Sequence, residues 1–239
     1  MARSISLENL SVGYGGIQAL FNVDLSIGAG EIVSVLGANG ADKTTLLNTI
    51  AGLVRARSGR VVVNGEAINS WRAEQIARSG VRLVPEGRRI FTRLTVEENL
   101  RLGAYFSTKK EFRERFEELA ALFPLLADRR TSYAGYLSGG EQQIVAVSRA
   151  LISKPDVLLL DEPSAGLSPI ATATVYHSLQ KVARDMGITI LIVEQNVRWA
   201  LEIAERGYVL ELGSVKLEGT RETLQKDDRV TALYLGAAV

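Results

Sequence analysis

The stretch Gly37-Ala-Asn-Gly-Ala-Asp-Lys-Thr-Thr45 places two glycines, a lysine and two adjacent threonines within nine residues. Glycine lets a backbone approach an anion closely. A lysine supplies a point charge for the β- and γ-phosphates of a nucleotide, and the hydroxyl that follows it can ligate magnesium. The run Val157-Leu-Leu-Leu160 ends in Asp161 and Glu162. The first of two such carboxylates can hold magnesium, usually through water. The second can orient or deprotonate a water that attacks a γ-phosphate. Between these segments, Leu137 to Gln143 reads LSGGEQQ. A serine followed by two glycines at a helix start presents a hydroxyl and several backbone N–H groups to an anion. A plain acidic strand end and an ordinary helix cap are the competing readings of the last two segments.

These residues need elements to hold them. The run from Ile32 to Leu36 reads as a buried strand meeting a glycine turn at Gly37, with a helix opening at Lys43 to Thr45. Strand, glycine turn and helix together form the phosphate-binding arrangement of α/β nucleotide folds. Val81 to Val84, Val157 to Leu160 and Ile188 to Val193 read as further buried strands of a parallel sheet. Ile5 and Leu7, then Phe21, Val23, Leu25 and Ile27, alternate with polar residues as half-buried strands do. From about 91 to 150 the pattern turns helical. Thr95 and Glu98 form a capping box, and Phe112, Phe116, Leu119 and Leu122 recur at helical spacing.

Taken together, the Leu137–Gln143 signature and the Asp161–Glu162 strand end closely resemble the ABC-family ATPases, over essentially the whole chain. The resemblance implies an α/β fold: a phosphate-loop NTPase-type, mostly parallel sheet, an antiparallel β part near the N-terminus and a helical insert at about 91–150. It would form one cassette over 1–239. It implies ATP and Mg2+ as cofactors. Gly37, Ala38, Asn39, Gly40, Ala41, Asp42, Lys43, Thr44 and Thr45 would surround the phosphates. Ser138, Gly139 and Gly140 would face the nucleotide of a second ATPase subunit, in a homo- or heterodimer. Tyr14 matches the aromatic that stacks on adenine; a surface tyrosine at a strand end is its other reading. Thr44, Asp161 and Glu86 would serve the metal, and Glu162, Lys43, Gln195 and Glu86 the catalysis. Within the family, Val84-Pro-Glu-Gly-Arg-Arg-Ile-Phe91, Val193-Glu-Gln-Asn196 and Tyr234-Leu-Gly236 look like the importers of branched-chain amino acids. That implies two transmembrane permease subunits, a solute-binding protein acting indirectly, and a peripheral place on the cytoplasmic face of the membrane.

Departures from the pattern bear on the chemistry. The phosphate-loop pattern asks for a second glycine immediately before the lysine, and Asp42 stands there. A Cβ crowds that space and a carboxylate adds like charge near a polyphosphate, so weak ATP binding is expected relative to an Asp42→Gly form. Glu86 replaces the family's usual glutamine and Gln195 its usual histidine. A glutamine amide still donates a hydrogen bond but carries no proton charge. Ser168 replaces a family aspartate and reads equally well as an N-cap before Pro169. His177, the only histidine, is assigned no chemistry. Arg88 and Arg89 read as a solvated pair or, by the resemblance, as lying near the surface that meets a membrane subunit.

Bulk composition narrows the field. Of 239 residues, 46% are hydrophobic and 23% charged, with net charge +1. Such a balance builds a sizeable core and supplies no broad field for nucleic acid. With no cysteine, disulfides and thiolate metal sites are excluded. No apolar run approaches the roughly 18 residues that cross a bilayer, so a membrane role would run through partners. Alternatives are a hydrolysis-impaired or regulatory cassette, because of Asp42, and a non-transport ABC protein acting on nucleic acid or the ribosome. The second would be expected to carry long coiled coils, fused cassettes or basic extensions, none of which the sequence contains.

Overall fold

The computed structural model describes residues 2–105, 107–228 and 230; the Tyr234-Leu-Gly236 segment lies outside them. The chain begins with two long antiparallel strands, β1 (Ile5–Tyr14) and β2 (Ile17–Ile27), followed by β3 (Ile32–Leu36) and helix α1 (Lys43–Ile50). Strands β4 (Ala56–Val63) and β5 (Glu66–Ala67), helix α2 (Ala73–Arg78) and strand β6 (Val81–Val84) come next. Helices α3 (Val96–Gly103), α4 (Lys109–Leu122), α5 (Leu125–Asp128) and α6 (Gly139–Leu151) separate β6 from β7 (Val157–Asp161). The chain continues through α7 (Pro169–Met186), β8 (Thr189–Glu194), α8 (Val197–Ile203), β9 (Arg206–Glu211), β10 (Ser214–Thr220) and α9 (Arg221–Lys226).

These strands make two sheets, in the orders β2-β1-β4-β5 and β10-β9-β3-β8-β7-β6. The first is antiparallel. In the second, β9, β3, β8, β7 and β6 run parallel and only β10 is antiparallel to its neighbour. Parallel strands need cover on both faces, so the central strands read as near-continuous apolar runs. Alternation divides them between two cores. Leu158, Leu160, Ile190 and Ile192 join Phe116, Val145, Val147 and Leu179 of the helices. Val157, Leu159, Leu191 and Val193 turn the other way, onto α1 and the antiparallel sheet. The inserted helices therefore share a continuous core with the parallel sheet rather than owning one.

Phe21, expected on the buried side of β2, is exposed, and Leu20 is buried in its place. The cause is a bulge. Leu10 pairs with Val23 and Val12 with Leu20, so two residues of β2, Phe21 and Asn22, oppose Ser11 alone. Asn22 absorbs the extra residue with φ of 44°, a left-handed conformation that asparagine tolerates better than most residues. The helical insert follows the sequence reading closely. Thr95 and Thr108 each cap a helix, accepting from the backbone N–H of Glu98 and Glu111 while those glutamates accept from the caps in return. Phe112, Phe116 and Leu119 are buried, and Leu122 partly so.

Because β3, β6, β7 and β8 are parallel, their carboxyl ends lie along one edge of the sheet. Register aligns them there: Leu36 pairs with Glu194, Asp161 with Val193, and Val84 with Leu160. The segments after these strands begin with Gly37, Pro85, Glu162 and Gln195. This is the edge at which open α/β sheets bind ligands.

Candidate active site

Lys43 is the anchor. It opens α1, is only 5% exposed, and its Nζ donates to the carbonyls of Gly37 (2.9 Å) and Ala38 (3.1 Å). The loop is thereby wrapped around its own ammonium. The same Nζ pairs with Glu162 Oε1 at 3.0 Å. One residue on, Thr44 Oγ1 donates to Asp161 Oδ1 at 3.2 Å. Lys43, Thr44, Asp161 and Glu162 are thus brought together from the start of one helix and the end of one strand. Helix α1 buries Leu46, Leu47 and Ile50 completely, each worth roughly 1.5–3 kcal/mol, which holds its N-terminus against this edge.

A cleft of about 380 Å³ opens beside these groups, lined by Asn39, Gly40, Asp42, Lys43, Thr44, Thr45, Glu86 and Glu162. Gly40 has φ of 82°, a conformation only glycine adopts freely. At Gly37 a Cβ would come within 2.5 Å of the Leu210 carbonyl, so β9 passes too close for any other residue. Ala41 is buried beneath the loop, and Ala38 and Asn39 complete its span. Tyr14 stands half-exposed at the end of β1, its hydroxyl 3.3 Å from Thr45 Oγ1. Gln195 is exposed just beyond β8.

Asp42 occupies the left-handed region, with φ 72° and ψ 27°, at the N-cap position of α1. Its side chain makes no cap hydrogen bond; instead Oδ1 accepts from Thr45 Oγ1 at 3.0 Å. The backbone there has the shape that suits glycine, and the aspartate is accommodated in it with strain.

The electrostatics are lopsided. Asp42, Glu86 and Glu162 line the cleft against one lining ammonium, that of Lys43, and Asp161 lies beside it through Thr44. Burial pushes the Asp161 carboxyl up to about 6, the charges of Glu162 and Glu86 adding to it while Thr44 and Lys43 oppose. Such a surplus of negative charge suits a cation arriving with a polyphosphate. No cluster of three or more carboxylates or histidines able to hold a metal by itself occurs among the described residues. The Thr44–Asp161 pair fits the way magnesium is usually bound, by one or two side chains with substrate phosphates and water completing the shell.

The Ser138–Gly140 turn is placed differently. Ser138 caps α6, accepting from Glu141 N–H while its own N–H donates to Glu141 Oε2 at 2.7 Å. Ser138 is exposed, and the turn does not line the cleft. Gly140 lies so near Ala171 that a Cβ would come within 2.8 Å of that methyl group. Ser168 caps α7, accepting from Ala171 N–H at 3.3 Å, with Pro169 following. His177 is exposed on α7.

One buried acid escaped the sequence reading. Glu194, 1% exposed, closes β8 directly before Gln195. Its Oε1 accepts from Tyr176 Oη (2.6 Å) and Ser164 N–H (3.0 Å), and its Oε2 from Asn196 N–H (3.3 Å). Burial raises its carboxyl above the ordinary range despite those donors. It ties the loop behind Glu162 to α7 and β8. The available signal was a carboxylate at the end of an otherwise apolar run.

A family model described as ABC transporter matches residues 20–165. The high-affinity branched-chain amino acid transport ATP-binding protein BraG of Pseudomonas aeruginosa is 44% identical over 232 residues, covering 97% of this chain and 99% of BraG. The lipopolysaccharide export system ATP-binding protein LptB of Haemophilus influenzae is 36% identical, with 97% of each chain covered. Among solved structures, the ADP conformation of MJ1267, an ATP-binding cassette of an ABC transporter, superposes with a TM-score of 0.89. It is 25% identical and covers 99% of this chain and 100% of that one.

Proposed function

This chain belongs to the ABC transporter family, as an ATP-hydrolysing cassette, and we propose that it energises import of branched-chain amino acids. The observation that carries the catalytic reading is the convergence of Lys43, Thr44 and Glu162 on one cleft at the carboxyl edge of a parallel sheet, with Asp161 hydrogen-bonded to Thr44 beside it. Lys43 would neutralise the β- and γ-phosphates. Thr44 and Asp161 would hold Mg2+, which screens phosphate charge when bound. Glu162 would leave its ion pair with Lys43 to orient and deprotonate the attacking water. Glu86 and Gln195, at the neighbouring strand ends, would complete the shell around that water and the γ-phosphate. Tyr14 would stack on the adenine.

The Ser138–Gly140 turn does not line the cleft of its own chain. We assign that turn to the nucleotide of a second cassette, so that closing the pair completes both sites. Exposed Phe91, Leu102 and Tyr105 rim a groove of about 360 Å³ between β6 and α3. That groove supports docking of a membrane subunit on the helical insert of about 91–150. No described helix is long and apolar enough to cross a membrane. The chain would sit at the cytoplasmic face of the membrane through two permeases, served by a solute-binding protein.

BraG's similarity supports branched-chain amino acids over the lipopolysaccharide that LptB serves, by 44% identity against 36%. Uptake of labelled leucine, isoleucine and valine by cells carrying only a Glu162→Gln form tests this. Unchanged uptake of all three would remove the substrate assignment. A second reading, a cassette that grips its own nucleotide weakly while offering an intact signature turn to a competent partner, is favoured by the strained Asp42.

A further inference from the structure

Gly87, Arg88 and Arg89 follow one another with φ of 75°, 65° and 47°. Two adjacent non-glycine residues in the left-handed region are held there only when their surroundings over-determine them. For Arg88 those surroundings are specific. Its Nη1 donates to Gln142 Oε1 at 3.2 Å, on the first turn of α6 directly after the Ser138–Gly140 turn. Its Nη2 donates to the carbonyl of Gly166 at 3.1 Å, in the loop between Glu162 and α7. The guanidinium packs against two glycines, tightly only at Gly139. A Cβ on Gly139 would lie 3.1 Å from Nη2, and one on Gly166 would lie 3.5 Å from the same atom. Gln142 is fixed in turn, its amide donating to the Ala134 carbonyl at 3.2 Å. Behind Arg88, Arg149 Nη2 reaches its carbonyl at 3.5 Å. The half-buried side chain is therefore not simply a solvated surface charge.

We propose that Arg88 is a positioning residue, a cross-brace fixing the signature turn of α6 against the loop behind Glu162. Three segments meet on its one planar group: the turn after Glu86, the start of α6 and the Ser164–Ser168 loop. A guanidinium suits this because its fork serves two acceptors on different elements at a fixed separation. The brace sets where Ser138–Gly140 stands relative to the edge carrying Glu162. A shift of either must strain the left-handed turn beside Glu86. This rests on the assignment of that turn to a second cassette's nucleotide.

Its test uses the full chain as wild type, Arg88→Ala, Gln142→Ala and the double variant. Mg-ATP turnover, affinity for labelled ATP and amide hydrogen exchange are measured on each. Arg88→Ala is expected to lower turnover tenfold or more while affinity of the single chain for ATP changes less than twofold, since the phosphate loop is untouched. Gln142→Ala, which removes one acceptor and leaves Arg88 in place, should act in the same direction but more weakly. The double variant should lose less than the product of the two single losses, because both substitutions remove the same Arg88–Gln142 hydrogen bond. Turnover within twofold of wild type in Arg88→Ala, or multiplied losses in the double variant, would overturn the brace. Should wild type itself not turn over ATP, the functional assignment fails, and exchange alone judges the brace. Arg88→Ala must then speed exchange at least fivefold in both 136–144 and 163–168; unchanged exchange in either segment refutes it.

Discussion

Replacing Asp42 by glycine isolates the most unusual feature of the phosphate loop. For folding, two effects oppose. Relief of the left-handed backbone at φ 72° is worth about 1 kcal/mol, and loss of the hydrogen bond from Thr45 Oγ1 costs about 1 kcal/mol. The melting temperature is therefore expected to move by less than about 4 °C in a chain of this length. For binding, the effects add. A carboxylate about 4 Å from a phosphate charge, at an effective dielectric near 20, repels by about 4 kcal/mol, which is nearly three decades in affinity. Magnesium and the Lys43 ammonium offset part of this, so a gain of between about tenfold and a thousandfold is expected. Asp42→Asn separates charge from shape. Asparagine tolerates the left-handed backbone and keeps an oxygen for Thr45, so it should recover only the charge component. Titration of all three forms with labelled ATP, with and without magnesium, measures this. If both variants bind within twofold of wild type, the repulsion argument is wrong. If glycine gains and asparagine does not, crowding rather than charge is responsible.

Lys43→Met keeps the length of the side chain but removes the ammonium that binds Gly37, Ala38 and Glu162; turnover should fall by about a hundred- to a thousandfold, read in a steady-state ATPase assay. Glu162→Gln should lower turnover by about a hundred- to ten-thousandfold while ATP affinity holds, because only the proton acceptor is lost; a parallel fall in affinity would contradict this. Glu194 gives a pH signature. Its folded carboxyl lies above the usual value, so the stability it contributes is complete below about pH 4.5 and is lost as pH rises through the folded value. Glu194→Gln should abolish that decline in urea melts taken across the acid-to-neutral range. Glu194→Ala should instead cost about 2–4 kcal/mol, by orphaning the Tyr176 hydroxyl and the Ser164 N–H.

Local residue order carried a large part of this protein. Glycine turn, lysine and hydroxyl in succession imply a strand–turn–helix because each conformation is short-range, and α1 opens at Lys43 where that order required. The capping boxes at Thr95 and Ser138 are decided within one turn of helix. Apolar runs such as Val157–Leu160 announce burial on both faces. What such periodicity leaves open is any displacement of one strand against another. The bulge that exposes Phe21 in favour of Leu20 is visible only once β1 and β2 are paired.

The site's long-range contacts were decided by tertiary structure alone. Thr44 reaches Asp161 across 117 residues of chain, Arg88 reaches Gly166 across 78, and Tyr176 and Ser164 meet on Glu194 from either side of a helix start. Nothing local dictates these pairings. Parallel packing brings β3, β6, β7 and β8 to a common edge, and residues on successive loops then become neighbours however far apart they lie in sequence. The residue type of Asp42 was plain in the sequence, but its strain was not, since φ there is imposed by the loop closing over Lys43 rather than by the aspartate itself.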